Sequence, residues 1–135
     1  MASSERAPFD TTFEGASAYL GDRVRRVLPG AATTLERRDD GSIAVRYHDT
    51  DVVTYRPNGV VEFDNGGFTT PTTKTRINTY APAGWYVRQH DYDWYLEIFD
   101  AHEGWGTIGA FNRRAIHTSI ARLTGAGYRV AQVND

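Results

Sequence analysis

Glycine turns punctuate this chain at short intervals, and that punctuation constrains its fold more than any other feature. Asp39-Asp40-Gly41 and Pro57-Asn58-Gly59 are both loops of hairpin type. The first separates residues 33–38 from 42–48, and the second separates 51–56 from 60–63. Ile43, Val45 and Tyr47 alternate with Ala44, Arg46 and His48, so this segment has an apolar face opposite a more polar one. Strands this short, joined by turns this tight, pair with their sequence neighbours, which predicts an antiparallel meander.

Helical periodicity flanks the meander. Thr11 and Glu14 form a capping-box pattern. Phe13, Ala16, Leu20, Val24, Val27 and Leu28 then recur at helical spacing until Pro29-Gly30, which predicts a helix over 11–28 after a flexible stretch 1–10. After Gly66-Gly67, Thr70 caps a second helix with Pro71 in its first turn, ending near Tyr80. A second hairpin pairs 85–90 with 94–99. A third helix, capped by Asn112, sets Ile116, Ile120 and Leu123 on one face, and a strand over 128–133 closes the chain. Sliding 66–91 onto 109–134 matches Gly66 with Gly109, Phe68 with Phe111, Ile77 with Ile120 and Gly84 with Gly127. This suggests an internal repeat, with ββαβ copies at 51–91 and 94–134.

The expected fold is therefore a single α+β domain over 11–135. It has a twisted, mostly antiparallel sheet of about seven strands with helices packed mainly on one face. Phe13, Leu20, Val24, Val45, Val61, Ile77, Val87, Leu96, Ile116, Ile120 and Val130 are the expected core.

Composition removes several function classes. The 135 residues contain no cysteine, which excludes disulfides, thiolate metal sites and a thiol nucleophile. A net charge of −2 argues against a surface that is basic throughout. No apolar run approaches the roughly 18 residues of a membrane span, and MASSERAPFD lacks the apolar core of a signal peptide, so a cytoplasmic, non-membrane protein is expected. Residues 91–103 carry five acids and no base, whereas Arg113, Arg114, Arg122 and Arg129 follow against Asp135 alone.

Four groups of residues offer chemistry. His48-Asp49-Thr50-Asp51 gives two metal ligands at most, His48 and Asp51, with His90 or Asp93 of the next hairpin as a third, and reads more simply as a tight turn built on Asp49 and Thr50. Lys74, Arg76 and Asn78 follow a helix start, where donors beside the first turn suit a phosphate, or simply form a solvated helix face. The aromatic strands Trp85-Tyr86-Val87-Arg88 and Trp94-Tyr95, with Arg88, Arg113 and Arg114 to grip a backbone, have the composition of a stacking surface for unpaired bases, or of a hairpin with one face filling the core and the other exposed. Asp91, Asp93 and Glu97 on that same hairpin repel phosphates and suit a basic protein partner. No nucleophile elbow, phosphate-binding glycine loop or His-Glu-x-x-His is present, so no enzyme activity and no cofactor are expected.

The stretch over residues 47–78 resembles a widespread family of small bacteriophage proteins whose pattern reads HGTDVV, then DG-T-V-x-L-N-S-G-G-W, then T-x-T-T-K-x-R-I-N. Here it stands as His48-Asp49-Thr50-Asp51-Val52-Val53, Asn58-Gly59, Asn65-Gly66-Gly67-Phe68 and Thr70-Pro71-Thr72-Thr73-Lys74-Thr75-Arg76-Ile77-Asn78. Asp49 replaces a glycine and Phe68 a tryptophan. The resemblance covers roughly residues 32–105. It implies a phage gene expressed in a bacterial host and brings no activity with it. The expectation is a non-catalytic phage accessory protein in the host cytoplasm that binds a host protein, with a small nucleic-acid-binding protein as the alternative. Oligomeric state is left open.

Overall fold

The computed structural model describes residues 6–68, 70–90, 93–100, 104–110 and 115–119. Among these lie two helices and nine strands, an α+β architecture. Six strands, β1 (Arg25–Val27), β2 (Thr33–Arg37), β3 (Ile43–Tyr47), β4 (Thr50–Tyr55), β5 (Val60–Asp64) and β9 (Ala115–Ser119), form one antiparallel sheet in that order, and β6 (Trp85–His90), β7 (Asp93–Asp100) and β8 (Gly104–Ala110) form a second. Two sheets stand where one of about seven strands was expected.

The meander appears where the turn chemistry put it: β2 (Thr33–Arg37), β3 (Ile43–Tyr47), β4 (Thr50–Tyr55) and β5 (Val60–Asp64) pair in succession. Leu35 faces Val45, Val45 faces Val53, and Val53 faces Phe63, so one row of side chains crosses the sheet on the same side. These four residues are fully buried. Ala16 and Leu20 of α1 (Phe13–Leu20) and Ile77 and Tyr80 of α2 (Pro71–Tyr80) join the same core cluster, which puts both helices over that face. Phe9 stacks on Tyr80 with ring centres 5.7 Å apart and meets Tyr55 edge-on at 6.1 Å. It thereby ties the segment before α1 to α2. The Tyr55 hydroxyl donates to the Tyr80 carbonyl at the end of α2, and burial pushes this phenol well above its ordinary pKa.

The first helix is shorter than its apolar period suggests. Thr12, not Thr11, is the cap, accepting the Gly15 N–H at 3.0 Å, and the helix stops at Gly21, whose φ is +64°. Only its Ala16 and Leu20 are buried; Phe13 is half-buried against the core. Val24, expected in the core, is 68% exposed, and Val27, which continues the helix's apolar period, is 69% exposed. Residues Arg25–Val27 instead form β1, paired along the edge of β2. The segment satisfies its backbone along the open edge of β2, and the glycine makes the change of direction cheap.

The opposite face of the large sheet is ionic. Glu36, Arg38 and Asp51 form a chain of pairs, and Arg56 bridges Asp40 and Glu62 at 2.9 and 2.8 Å. Asp40 also accepts the Ser42 hydroxyl at 2.6 Å and the Ser42 N–H at 2.9 Å. These bonds, the hydroxyl first, hold its carboxyl down to about 2 from an ordinary 3.8. Since the folded value is the lower one, the stability Asp40 contributes is present above the ordinary value and fades as pH falls toward about 2. Ser42→Ala is expected to move the Asp40 midpoint, followed by carboxyl NMR, upward toward 3.8; an unmoved midpoint would show that the hydroxyl is not the cause.

β6 (Trp85–His90) and β7 (Asp93–Asp100) form the expected second hairpin, and β8 (Gly104–Ala110) extends it. Trp85, Val87, Trp94 and Leu96 turn inward and are buried. α2 lies between the sheets, touching β3 and β4 on one side and β6 on the other. Phe63 and Trp85 meet across the gap with ring centres 6.0 Å apart.

The expected third helix does not form over Ala115–Ser119. That segment is β9, paired with β5 from Val60↔Ser119 to Asp64↔Ala115. Under the 43-residue offset α2 falls on this strand, so the helix-to-helix match behind the ββαβ repeat fails there. Ile120, Val130 and the strand expected over 128–133 lie outside the described residues.

Candidate functional site

A cleft of about 310 Å³ opens within the stretch that carries the phage resemblance. Three pieces of backbone build it. The first is the β3–β4 turn, in which Tyr47 pairs with Thr50 and leaves His48-Asp49 as a two-residue connection. His48 takes a φ of +54°, and its N–H donates to the Ala32 carbonyl at 3.0 Å. The turn residues are thus His48 and Asp49, one position earlier than expected. Behind the turn the register slips, because Val45 faces Val53 while Arg46 faces Asp51. Val52 is the extra residue of this bulge, and it is buried at the cleft floor.

The second piece is the Asn65-Gly66-Gly67-Phe68 turn. Asp64 accepts the Gly66 N–H at 2.7 Å, Asn65 Oδ1 accepts the Gly67 N–H at 2.8 Å, and the Asn65 carbonyl accepts the Phe68 N–H at 2.9 Å. Gly66 has a φ of +65°, and a side chain there would run into Thr50. Glycine is therefore needed for both conformation and closeness. The turn leaves the Phe68 ring 61% exposed at the cleft rim while Asn65 is buried beneath it.

The third piece is the start of α2. The Thr70 hydroxyl caps it by accepting the Thr73 N–H at 3.3 Å, and Pro71 occupies the first helical position. Thr70, Thr72 and Thr73 all border the cleft, and the first turn holds no acid.

The residues expected to carry chemistry scatter. Asp51 does not join His48 in a metal site, because Arg38 grips its carboxylate with two guanidinium nitrogens, Nε at 3.0 Å and NH2. That bond is the main reason the Arg38 pKa is raised. Among the described residues no group of three histidine or carboxylate side chains converges on a point.

Arg76 is not a surface donor. It is buried, its Nε donates to the Thr33 hydroxyl at 2.9 Å, and its guanidinium lies 5.2 Å from the Tyr47 ring centre. Asn78 faces the edge of β6, donating to the Val87 carbonyl at 3.2 Å and accepting the Val87 N–H at 2.6 Å. Lys74, the single lysine, reaches Gln89 of the same strand at 3.1 Å. Trp85 and Trp94 are buried, which removes them as stacking platforms.

What the second hairpin does expose is its outer face. In the paired register Tyr86 sits opposite Glu97 and Arg88 opposite Tyr95, with Phe99 and Asp93 on the same side of β7. Tyr86 and Phe99 are 44% and 49% exposed. Arg88 Nε binds Glu97 at 2.7 Å, and the guanidinium lies 5.3 Å from the Tyr86 ring centre. Asp91, Arg113 and Arg114 lie outside the described residues. Phe99 was absent from the expected site residues and Tyr86 stood there only as part of a stacking surface, although strict alternation along β6 and β7 is the signal that sets the two on one face.

The family model described as Kyanoviridae Gp96 protein matches residues 24–124, well over half of the chain. The chain belongs to this bacteriophage protein family. The match contains the whole of the stretch that carried the resemblance, both sheets and the cleft, whereas α1 lies before it. Comparison with curated proteins and with solved structures yields no match. Chemistry for a Gp96-family chain must come from its own geometry. No described helix is long and apolar enough to cross a membrane.

Proposed function

We propose that this Gp96-family protein is a non-catalytic phage accessory factor that acts in the host cytoplasm by binding a host protein through the outer face of β6 and β7. The observation that carries this reading is the exposure of Tyr86 and Phe99 on one strand face, flanked by the Arg88–Glu97 ion pair. Large aromatics ringed by charged and polar groups are the composition of a protein contact, where a ring supplies much buried area at little entropic cost. Asp93 and Glu97 bias the partner toward a basic surface, and they oppose a phosphate backbone laid across the same strands.

The test is a pull-down from host lysate after nuclease treatment, at two salt concentrations. The expected result is a discrete host protein held by the native chain and lost from the double variant Tyr86→Ser, Phe99→Ser, whose melting curve should be unchanged. Retention of that protein by the variant would overturn the assignment of the face. Recovery of nucleic acid alone, steeply weakened by salt, would overturn the protein-binding reading itself.

A further inference from the structure

We propose that β1 is a docking edge, which takes an extended acidic segment of a protein partner as an added strand of the large sheet. The inference does not depend on the β6–β7 contact, and either can fail without the other.

β1 ends the large sheet, and its pairing settles which of its backbone groups are committed. The Leu28 N–H donates to the Thr33 carbonyl at 3.0 Å, and the Val24 carbonyl accepts the Arg37 N–H at 2.8 Å, so residues 24, 26 and 28 turn their backbone groups toward β2. Antiparallel pairing alternates along a strand. Arg25 and Val27 therefore turn N–H and C=O away from the sheet, where no strand pairs with them among the described residues. An added strand finds two donors and two acceptors there, at the spacing of a ladder.

The side chains along this edge select the occupant. Val24 and Val27, on opposite faces of the strand, are the two most exposed large apolar side chains among the described residues, and a strand laid alongside would cover both. Residues 22–27 set Arg23, Arg25 and Arg26 against Asp22 alone. Arg26 is held over the Tyr19 ring and donates to the Tyr19 carbonyl at 2.7 Å, whereas Arg23 and Arg25 stand exposed. On the face that carries Arg25 and Val27, a groove of about 490 Å³ continues past Thr34 to Arg46 and His48. Its acid, Glu36, is already engaged by Arg38 at 2.7 Å and by Arg25 at 3.4 Å. Carboxylates on alternate residues of a docked strand would enter this groove beside Arg25 and Arg46.

A second copy fits the edge poorly in every register. Pairing β1 with itself about its centre sets Arg26 opposite Arg26, and pairing about Arg25 sets Arg25 opposite itself, like charges directly across a ladder. Pairing about Val27 sets Pro29, which has no N–H, where the Arg25 carbonyl needs a donor. The arginines that guard this short edge against the chain's own copies thus favour a strand of opposite charge.

The probes are two decapeptides of alternating residues, valine with glutamate and valine with lysine, titrated at constant ionic strength into the full chain and followed by backbone amide NMR. The glutamate peptide is expected to shift the Arg25 and Val27 amides saturably and to slow their exchange with solvent, and the lysine peptide to do neither. Val27→Pro removes one outward N–H and no bond to β2, a change that an edge strand tolerates, and should weaken binding by about ten-fold or more, equal to about 1.4 kcal/mol. Arg25→Glu keeps every backbone group and should reverse the preference between the peptides; it decides the matter if Val27→Pro alters the melting curve. Absence of a saturable shift at Arg25 and Val27, equal binding of the two peptides, or undiminished binding of the glutamate peptide by Arg25→Glu overturns the proposal. Shifts at the same amides that grow with protein concentration alone would assign the edge to a second copy and overturn it as well.

Discussion

Replacing Arg76 by alanine is expected to destabilise the fold by about 3 kcal/mol, read as a lower urea midpoint with an unchanged slope. Arg76 projects from α2 into the large sheet, where its Nε donates to the buried Thr33 hydroxyl and its guanidinium lies against the Tyr47 ring. Truncation removes a hydrogen bond made by a charged group, the cation–ring contact and the packing of the long stem together. The guanidinium also fills the space beside Gly30, where an added side-chain carbon would come within 2.6 Å of Arg76 NH2. Arg76→Lys should recover only part of the loss, since an ammonium cannot reproduce both the Nε–H direction and the flat contact with Tyr47. Lys74→Ala, two positions away on the exposed side, should fall within about 0.5 kcal/mol of the native chain. Equal effects at the two positions would refute the buried role of Arg76. A nucleic-acid assay that uses Arg76→Ala alone therefore reports unfolding as readily as a lost contact.

Which parts of this molecule could be read from the chain follows from how far apart the deciding contacts are. The four-strand meander was legible because Asp39-Asp40-Gly41 and Pro57-Asn58-Gly59 settle each pairing within a few residues. The start of α2 was legible for the same reason, since Thr70 and Pro71 act on their own first turn. The end of α1 was not. Val24 and Val27 continue its apolar period, and only the open edge of β2 explains why that segment extends instead. The Ala115–Ser119 segment satisfies a helical pattern, yet its partner is β5, far back in the chain. Arg76 reads as a surface base from its neighbours, while the hydroxyl it serves lies 43 residues away. The same limit applied to the candidate site. The Asn65-Gly66-Gly67 and Thr70-Pro71-Thr72-Thr73 patterns marked the place, but that they and the His48-Asp49 turn line one cleft depends on the fold as a whole.

Asn78→Ala is expected to cost about 2 kcal/mol and to expose the β6 edge at one defined point. β6 is the terminal strand of the small sheet, so one row of its backbone groups has no strand to pair with among the described residues. Asn78 supplies the missing partner at Val87 by presenting both an acceptor and a donor, as a neighbouring strand would. Alanine leaves the Val87 N–H and C=O without the pair that Asn78 supplies, in a half-buried seam. Aspartate tests the same geometry differently. It can still accept the Val87 N–H, but it sets a carboxylate oxygen against the Val87 carbonyl, so Asn78→Asp should recover little of the loss. Hydrogen exchange separates this local effect from general loosening, because the Val87 amide should lose protection beyond the fall in global stability, while the Val53 amide in the centre of the large sheet should follow that fall alone. Unchanged protection at Val87 would mean that the asparagine does not hold the edge. Its loss should also raise concentration-dependent association in dilute solution, since an uncovered strand edge is a template for a second chain. Asn78 therefore fastens α2 to the small sheet at one point of that sheet's edge, which couples the position of the helix start at the cleft to the strand whose outer face carries Tyr86.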